Sequence, residues 1–161
     1  MVDATTDDYV AIQNVLHSFF RLVDEGRAAE AAKFFTNDAR IVYGPGTLNP
    51  GVVEGHGIRE ALKIRQAQTH VTTRHVSSNL SLQLAAGHEA EARSLLTLFR
   101  SETRHWPPAI YAVVDVTDSL VRVEGQWLFR ERRIFPVFAE GLGVAPAQAA
   151  SPCDIDLCRD E

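Results

Sequence analysis

A chain of 161 residues, 45% of them hydrophobic and 23% charged, has the length and composition of one globular domain, which excludes the fibrous and disordered classes. The formal net charge of -5 argues against a nucleic-acid binder, because phosphate contacts require concentrated lysine and arginine. No apolar run approaches the ~20 residues of a membrane-spanning helix, and the acidic N-terminus has no apolar secretory segment, so a cytoplasmic protein without membrane contact is predicted.

The first predicted elements are helical. Apolar residues spaced three and four apart from Asp7 to about Glu25 predict an amphipathic helix, which Gly26 ends. Residues 28–35 predict a short second helix, because their helix propensity is high. Residues 44–57 are rich in glycine and proline and predict a long loop. A third helix is predicted for residues 57–68.

Between and after these helices, the hydrophobic pattern becomes that of strands. Segments rich in β-branched and apolar residues, bounded by turn signals, predict strands at 37–43, 52–53, 72–84, 91–102, 110–123 and 127–138. Helices that precede a curved antiparallel meander predict an α+β domain and not a βαβ fold.

The predicted single domain covers residues 1–140, and a C-terminal tail covers residues 141–161. The tail is rich in alanine and proline and contains both cysteines of the chain, Cys153 and Cys158. Their spacing matches no zinc pattern, so they are predicted to be tail thiols, with a disulfide as the alternative. No metal site is predicted.

Two titratable residues carry the chemical interest of the sequence. Period-two alternation puts Thr73, His75, Ser77 and Asn79 on one polar strand face, which indicates a wet or ligand-facing concavity. Asp24 ends the first helix, where it either solvates the helix end or reaches the core edge and needs a partner. A carboxylate that orients a neutral imidazole makes a general base. If the fold brings Asp24 and His75 together, the sequence predicts a proton-transfer site without metal or cofactor.

Other polar residues have two readings each. Tyr43, beside the loop, is either a rim aromatic or a hydrogen-bond donor to a substrate carbonyl and its enolate. Asp115 shares a strand face with Tyr111, and Asp118, nearer the hairpin turn, is predicted to be solvated. One basic cluster is predicted to be a solvated strand end or a set of salt bridges, with a substrate-anion contact as the alternative: Arg130, Arg132 and Arg133.

The predicted pocket is apolar enough for a ligand with several rings. Its predicted substrate-binding residues are Phe20, Val23, Asn79, Tyr111, Asp115, Trp127 and Phe129. The faces of the last strand depend on register, since a slip of one residue turns every side chain to the other face.

Several motifs, in order along the chain from about Asp7 to Phe138, resemble the SnoaL-like, nuclear-transport-factor-2-like superfamily. They are the acid that ends the first helix, the run Phe-Thr-Asn-Asp-Ala-Arg-Ile-Val-Tyr43, the step Glu-Gly-His-Gly-Ile-Arg-Glu, the strand Thr-Arg-His75 and the hairpin Glu-Gly-Gln-Trp127. The resemblance implies a cone-shaped α+β barrel, in which three helices pack on a strongly curved, mixed, mostly antiparallel sheet around a deep apolar pocket. It also implies a homodimer or higher oligomer.

Within the superfamily, the chain resembles the acid–histidine dehydratases of the scytalone dehydratase type. The resemblance implies catalytic roles for Asp24, His75 and Tyr43. The chain departs from scytalone dehydratase at Val23, where that enzyme has a tyrosine, and it lacks that enzyme's second histidine on the following strand.

The predicted function is a cofactor-independent lyase, most simply a dehydratase, acting on a small hydrophobic cyclic substrate. His75 removes a proton next to a carbonyl, Asp24 supports the imidazolium and Tyr43 stabilises the enolate. One alternative is an isomerase or polyketide cyclase with the same dyad. The other is a non-catalytic protein, either a binder of small ligands or an accessory subunit resembling the β subunit of ring-hydroxylating dioxygenases.

Overall fold

The computed structural model describes residues 6–85, 88–102 and 109–138. Its helices are α1 (Thr6–Asp24), a 3₁₀ helix (Ala28–Phe34) and α2 (His56–Ala67). Its strands are β1 (Phe35–Tyr43), β2 (Gly51–Glu54), β3 (Thr72–Ala85), β4 (Glu89–Ser101), β5 (Ala109–Val123) and β6 (Gln126–Pro136). The predicted elements are thus confirmed in type and order, the second helix being a 3₁₀ helix.

The six strands form one mixed sheet in the order β2-β1-β6-β5-β4-β3. Strands β1 and β6 are parallel, and all the other neighbouring pairs are antiparallel. The sheet is open, and the helices complete an α+β cone over the face that carries its buried side chains, which we call the inner face. The predicted fold class is confirmed.

Helix α1 lies against this inner face and contacts the 3₁₀ helix, β3 and β6. Because its apolar residues recur every three or four positions, one stripe is buried: Ile12, Leu16, Phe19, Phe20, Leu22 and Val23. Gly26 has a positive φ of 78°, a conformation that glycine adopts without the strain of a side chain, and the helix ends just before it at Asp24. This termination leaves Asp24 beside β3.

A one-residue bulge in β3 changes which side chains face inward. The pairing with β4 shifts between Ser78 and Ser81, and Asn79 has a positive φ of 54° in this interval. His75 before the bulge and Leu82 after it therefore both face the core, although regular alternation would put residues an odd number of positions apart on opposite faces. The prediction that Asn79 shares the face of His75 is wrong, because the bulge leaves Asn79 exposed.

A second bulge lies in β6. Leu120 pairs with Phe129, whereas Asp118 pairs with Arg132, so β6 has one residue more than β5 over this interval. Phe129 and Arg132 are consequently both buried, although regular alternation would put them on opposite faces. The extra residue, Arg130, is exposed.

The predicted C-terminal tail, residues 141–161 with Cys153 and Cys158, lies outside the described residues, so the predicted domain boundary stays a prediction. No helix in the described ranges is long and apolar enough to cross a membrane.

Candidate active site

Asp24 and His75 meet at the C-terminal end of α1. Oδ1 of Asp24 lies 2.6 Å from Nδ1 of His75, and Oδ2 accepts a hydrogen bond of 2.9 Å from the backbone N–H of the same residue. Both side chains are 12% exposed. The fold therefore joins the two residues whose meeting the sequence analysis set as the condition for a proton-transfer site.

Thr73 provides a third hydrogen bond to the carboxylate. Its hydroxyl is buried and donates to Oδ1 of Asp24 at 2.7 Å. Burial alone raises the pKa of Asp24, but the hydrogen bonds and charge of His75, together with the bond from Thr73, outweigh burial and hold this pKa below its ordinary value of 3.8. Asp24 is therefore ionised at neutral pH, although the helix dipole disfavours a negative charge at this end of α1.

The contact with Asp24 determines which nitrogen of His75 is basic. Since an ionised carboxylate only accepts hydrogen bonds, Nδ1 carries the proton of the neutral imidazole and Nε2 keeps the lone pair. The ring of Phe20 stacks on the imidazole, with 4.9 Å between centroids and 19° between planes. The stacking and the bonds to Asp24 together fix the orientation of Nε2.

A second ion pair lies inside the cone. Nε and Nη2 of Arg132 donate to the two carboxylate oxygens of Asp118 at 2.7 and 2.9 Å, and the two side chains are only 2% and 1% exposed. The prediction that Asp118 is solvated is wrong, because it lies on the inner face, opposite Arg132. Of the predicted basic cluster, Arg130 and Arg133 do form exposed salt bridges, with Glu89 and Glu131.

Aromatic rings surround the guanidinium of Arg132. Its central carbon lies 4.2 Å from the ring centroid of Phe129, 4.6 Å from that of Phe19 and 5.0 Å from that of Phe20. Phe20 therefore touches both Arg132 and His75, which links the two ion pairs through one ring.

One nitrogen of this guanidinium lacks a hydrogen-bond partner. Nη1 of Arg132 is buried and has no hydrogen-bond partner among the residues that the structure describes. A buried charged donor without a partner is costly, so an oxygen atom of a bound molecule would be stabilised there. Tyr43 lies near this charge: burial raises the pKa of its phenol, and Arg132 lowers it in part. With its pKa still raised, Tyr43 stays a neutral hydrogen-bond donor.

A cavity of about 660 Å³ opens beside Asp24, where the ends of α1 and α2 meet the first residues of β3 and the last residues of β4. Asp24 and Thr73 line it, together with Arg65, Phe99 and Arg100. Its volume lies in the range of sites for small molecules. Within the described ranges, no group of three or more histidine, cysteine or acidic residues is placed to hold a metal ion.

Most of the aromatic and apolar residues that were predicted to line the pocket lie in the core instead of at this cavity. Phe20 and Val23 are buried in the same part of the core as the dyad, but neither lines this cavity. Trp127 and Phe129 belong to the packed core, with 3% and 0% of their surface exposed. Phe129 thus offers no free surface to a ligand.

Two further predicted residues lie away from the interior. Asp115 is exposed between the buried residues Val114 and Val116, so its side chain points away from the inner face, and its role in substrate binding stays a prediction. Tyr111 is also exposed, and its ring lies beneath the guanidinium of Arg100 at 5.6 Å instead of facing the dyad.

The sequence contained one signal for the Asp118–Arg132 pair. Counting residues outward from the hairpin turn, where Val123 pairs with Gln126, puts Asp118 opposite Glu131. Two like charges directly opposite each other are unfavourable, and this conflict could have indicated the bulge.

A comparison with models of protein families identifies the family of the chain. A model of the SnoaL-like domain matches residues 4–133, and the chain belongs to this family. No functionally curated protein matches the chain significantly.

Solved structures with the same fold support this assignment. ActVI-ORFA from Streptomyces coelicolor is 21% identical, with a TM-score of 0.71 over 82% of this chain and 98% of its own. A candidate scytalone dehydratase from Novosphingobium aromaticivorans is 23% identical, with a TM-score of 0.69 over 87% and 96%. A protein of unknown function with a cystatin-like fold from Nostoc punctiforme is 21% identical, with a TM-score of 0.67 over 84% and 95%. At these identities the likeness concerns the fold.

Proposed function

We propose that the protein is a lyase of the dehydratase type, which uses His75 to remove a proton next to a carbonyl group of a small hydrophobic cyclic substrate. The observation that carries the proposal is the 2.6 Å contact between Nδ1 of His75 and Oδ1 of Asp24. It leaves Nε2 as the base and places a negative charge where the imidazolium will form. General acid–base catalysis of this kind contributes about 10²–10⁴-fold in rate.

The first step forms an enolate. Nε2 of His75 takes the proton from carbon, and the electrons of the broken C–H bond form the enolate double bond while negative charge moves to the carbonyl oxygen. The ionised Asp24 stabilises the new imidazolium through the hydrogen bond that it already accepts.

Arg132 and Tyr43 are suited to stabilise the enolate oxygen. Nη1 of Arg132 is a charged donor without a partner in the described part of the chain, and Tyr43 is a partly buried neutral phenol near the same charge. Donors that are oriented in advance, away from water, stabilise a developing negative charge more strongly than water does. We assign the carbonyl of the substrate to these two groups.

The second step expels water. The enolate collapses to re-form the carbonyl and a new carbon–carbon double bond, and the hydroxyl group on the next carbon leaves with its bonding electrons. The imidazolium of His75 returns its proton to this leaving group, so water is released and His75 is neutral again. An isomerase or a cyclase would share the first step. The product of an isomerase would have lost no water.

The test uses a bicyclic β-hydroxyketone such as a hydroxytetralone as the probe. We expect the wild-type protein to exchange the proton next to the carbonyl with deuterium from solvent and to form a product lighter by one water. His75→Ala should lower both rates about 10²–10⁴-fold. His17→Ala, which changes an exposed histidine on α1, is the matched control.

The two readouts separate the alternatives. Deuterium exchange without loss of water would favour the isomerase or cyclase, and it would contradict the dehydratase. If His75→Ala keeps wild-type exchange while remaining folded, His75 is not the base and the proposal fails.

We also propose a homodimer or higher oligomer formed through the outer face of the sheet. Val76 and Phe135, on β3 and β6, are 51% and 44% exposed. Apolar side chains that stay exposed on a sheet are candidates for contact with a second copy. Sedimentation equilibrium tests this assembly, and a monomer at all concentrations would contradict it.

A further inference from the structure

The hydroxyl of Thr73 lies between Asp24 and Arg65. It is 2.7 Å from Oδ1 of Asp24, and Nη2 of Arg65 lies 3.1 Å away on its other side. Because an ionised carboxylate only accepts, Thr73 must give its single proton to Asp24 and accept from Arg65. Three elements, α1, α2 and β3, thus meet in one directed chain of hydrogen bonds that ends at the imidazole of His75.

Arg65 is placed to act on Asp24 and on little else. Among the described residues its guanidinium forms no ion pair with a carboxylate and makes one hydrogen bond, to Thr73. Burial lowers the pKa of Arg65, the charge of Arg100 lowers it further, and the charges of Asp24 and Glu102 act in the opposite direction. The half-buried guanidinium of Arg65 lies beside another cation, Arg100, so the negative charge of Asp24 stabilises its charged form.

The other charged groups around this chain of hydrogen bonds have partners of their own. Arg100 pairs with Glu102, and Arg27 pairs with Glu25 at the rim of the cavity. Arg74 donates to the backbone oxygens of Thr73 and Asp24, at 2.6 and 3.3 Å. Arg65 is thus the cation that is linked to the carboxylate of Asp24 through the side chain of Thr73.

We propose that Thr73 and Arg65 are positioning residues, which hold the carboxylate of Asp24 in the orientation that keeps the proton on Nδ1 of His75. The proposal rests on the proposed function, because it assigns to the pair the task of keeping Nε2 free as the base. Hydrogen bonds in series polarise one another, so the bond from Arg65 strengthens the bond from Thr73 to Asp24. Neither residue is assigned a contact with the substrate.

The loss of Thr73 should free Asp24 to rotate. Oδ1 of Asp24 accepts two hydrogen bonds, from Thr73 and from His75. Without the first, the bonds that the described residues make to the carboxylate all come from His75, and the carboxylate is freer to turn about its side-chain torsions. Because the hydrogen bond at one ring nitrogen sets the tautomer of histidine, this rotation changes the fraction of His75 with its proton on Nδ1.

The experiment is a ¹⁵N NMR measurement of the histidine tautomers in the full chain, labelled at histidine, near neutral pH. The spectrum of His75→Gln assigns the His75 signals by their absence. We expect the Nδ1–H tautomer in the wild type and a mixture of tautomers in Thr73→Val and Arg65→Gln. Thr73→Ser keeps the hydroxyl and should restore the wild-type spectrum.

Two matched controls separate positioning from packing. Thr36→Val removes a buried hydroxyl that has no hydrogen-bond partner in the described residues. Lys63→Gln removes a charge from the same helix as Arg65, where Lys63 pairs with Glu60. Both should keep the wild-type tautomer. If Thr73→Val does not fold, Arg65→Gln carries the test, because Arg65 lies at a cavity and is only partly buried.

The kinetic readout uses the β-hydroxyketone probe. We expect kcat to fall about tenfold in Thr73→Val and Arg65→Gln, with KM nearly unchanged, as is typical when a residue that orients a functional histidine is removed. An unchanged tautomer in both variants would overturn the proposal even if His75→Ala is inactive. A changed tautomer in a protein that turns over no carbonyl compound would leave the hydrogen-bond chain intact and refute the proposed function instead.

Discussion

The cone contains two acid–base pairs, an inner pair of Asp118 with Arg132 and an outer pair of Asp24 with His75. They differ in how far water reaches them. Asp118 and Arg132 are almost completely buried, bind each other through two hydrogen bonds and lie among aromatic rings. Asp24 and His75 are each 12% exposed and lie at the end of a helix beside a cavity. One pair joins a carboxylate to a guanidinium, and the other joins a carboxylate to an imidazole, which can serve as a proton acceptor.

This difference suits the two pairs to separate tasks in the proposed mechanism. A proton-transfer group must change its charge during the reaction, which is only possible where the surroundings tolerate both states. The buried pair tolerates one state, since the removal of either charge leaves the other without compensation in an apolar environment. The outer pair therefore suits proton transfer, and the inner pair suits a fixed electrostatic contact.

The largest expected effect follows from breaking the inner pair. Asp118→Ala should destabilise the protein by about 3–5 kcal/mol, because Arg132 would keep its charge in the core without a counterion. The free energy of unfolding in urea measures this loss. A second variant, Asp118→Leu with Arg132→Met, removes both charges and should be more stable than Asp118→Ala. If the double variant is the less stable one, the pair itself stabilises the fold, and the interpretation is wrong.

A smaller effect is expected from the pH dependence of the outer pair. The pKa of Asp24 is lower in the folded protein than its ordinary value of 3.8, so its ionised form stabilises the fold above that value and this contribution is lost as the pH falls through the folded pKa. Urea unfolding of the wild type and of Asp24→Asn, from about pH 5 to about pH 3, tests the sign. The stability advantage of the wild type should shrink as the pH falls. A gap that widens toward acid would contradict the direction given for Asp24.

The smallest effect is expected from the loss of the exposed ion pair of Arg130, which lies on the same strand as Arg132. Arg130 pairs with Glu89, but these side chains are 46% and 50% exposed. Arg130→Gln should therefore change the free energy of unfolding by less than about 1 kcal/mol, because water and salt screen an exposed ion pair. The measurement should be made at low and at high salt. A loss comparable to that of Asp118→Ala would show that exposure does not separate these two arginines.

The elements of the fold were largely predictable from the sequence because their signals are local. The three-and-four spacing in α1 and Gly26 after it mark the helix and its end, and that end decides where Asp24 lies. His75 was predictable as a candidate because it precedes the bulge in β3, so simple alternation assigns its face correctly.

The residues that the sequence analysis assigned wrongly lie at or beyond irregularities, or on the opposite face of a strand. Asn79 lies at the bulge itself, and Arg132 lies beyond the one in β6. A bulge adds one residue, and with a period of two this exchanges inner and outer faces from that point onward. The link from Thr73 to Arg65 was missed for another reason, since it joins α2 to β3 through side chains whose contact has no sequence period.

The bulge at Arg130 keeps one residue of β6 out of the ladder with β5. The side chain at this position lies in solvent, so many residue types should be accepted there. If Arg130 were drawn into the ladder by regular pairing outward from the hairpin, Glu131 would lie against Asp118 and Arg132 would be directed to solvent, whereas deletion of position 130 would keep Asp118 opposite Arg132. The charge balance of the core therefore depends on the exclusion of one residue from the ladder, and an alignment gap at position 130 would be compatible with the same buried pair.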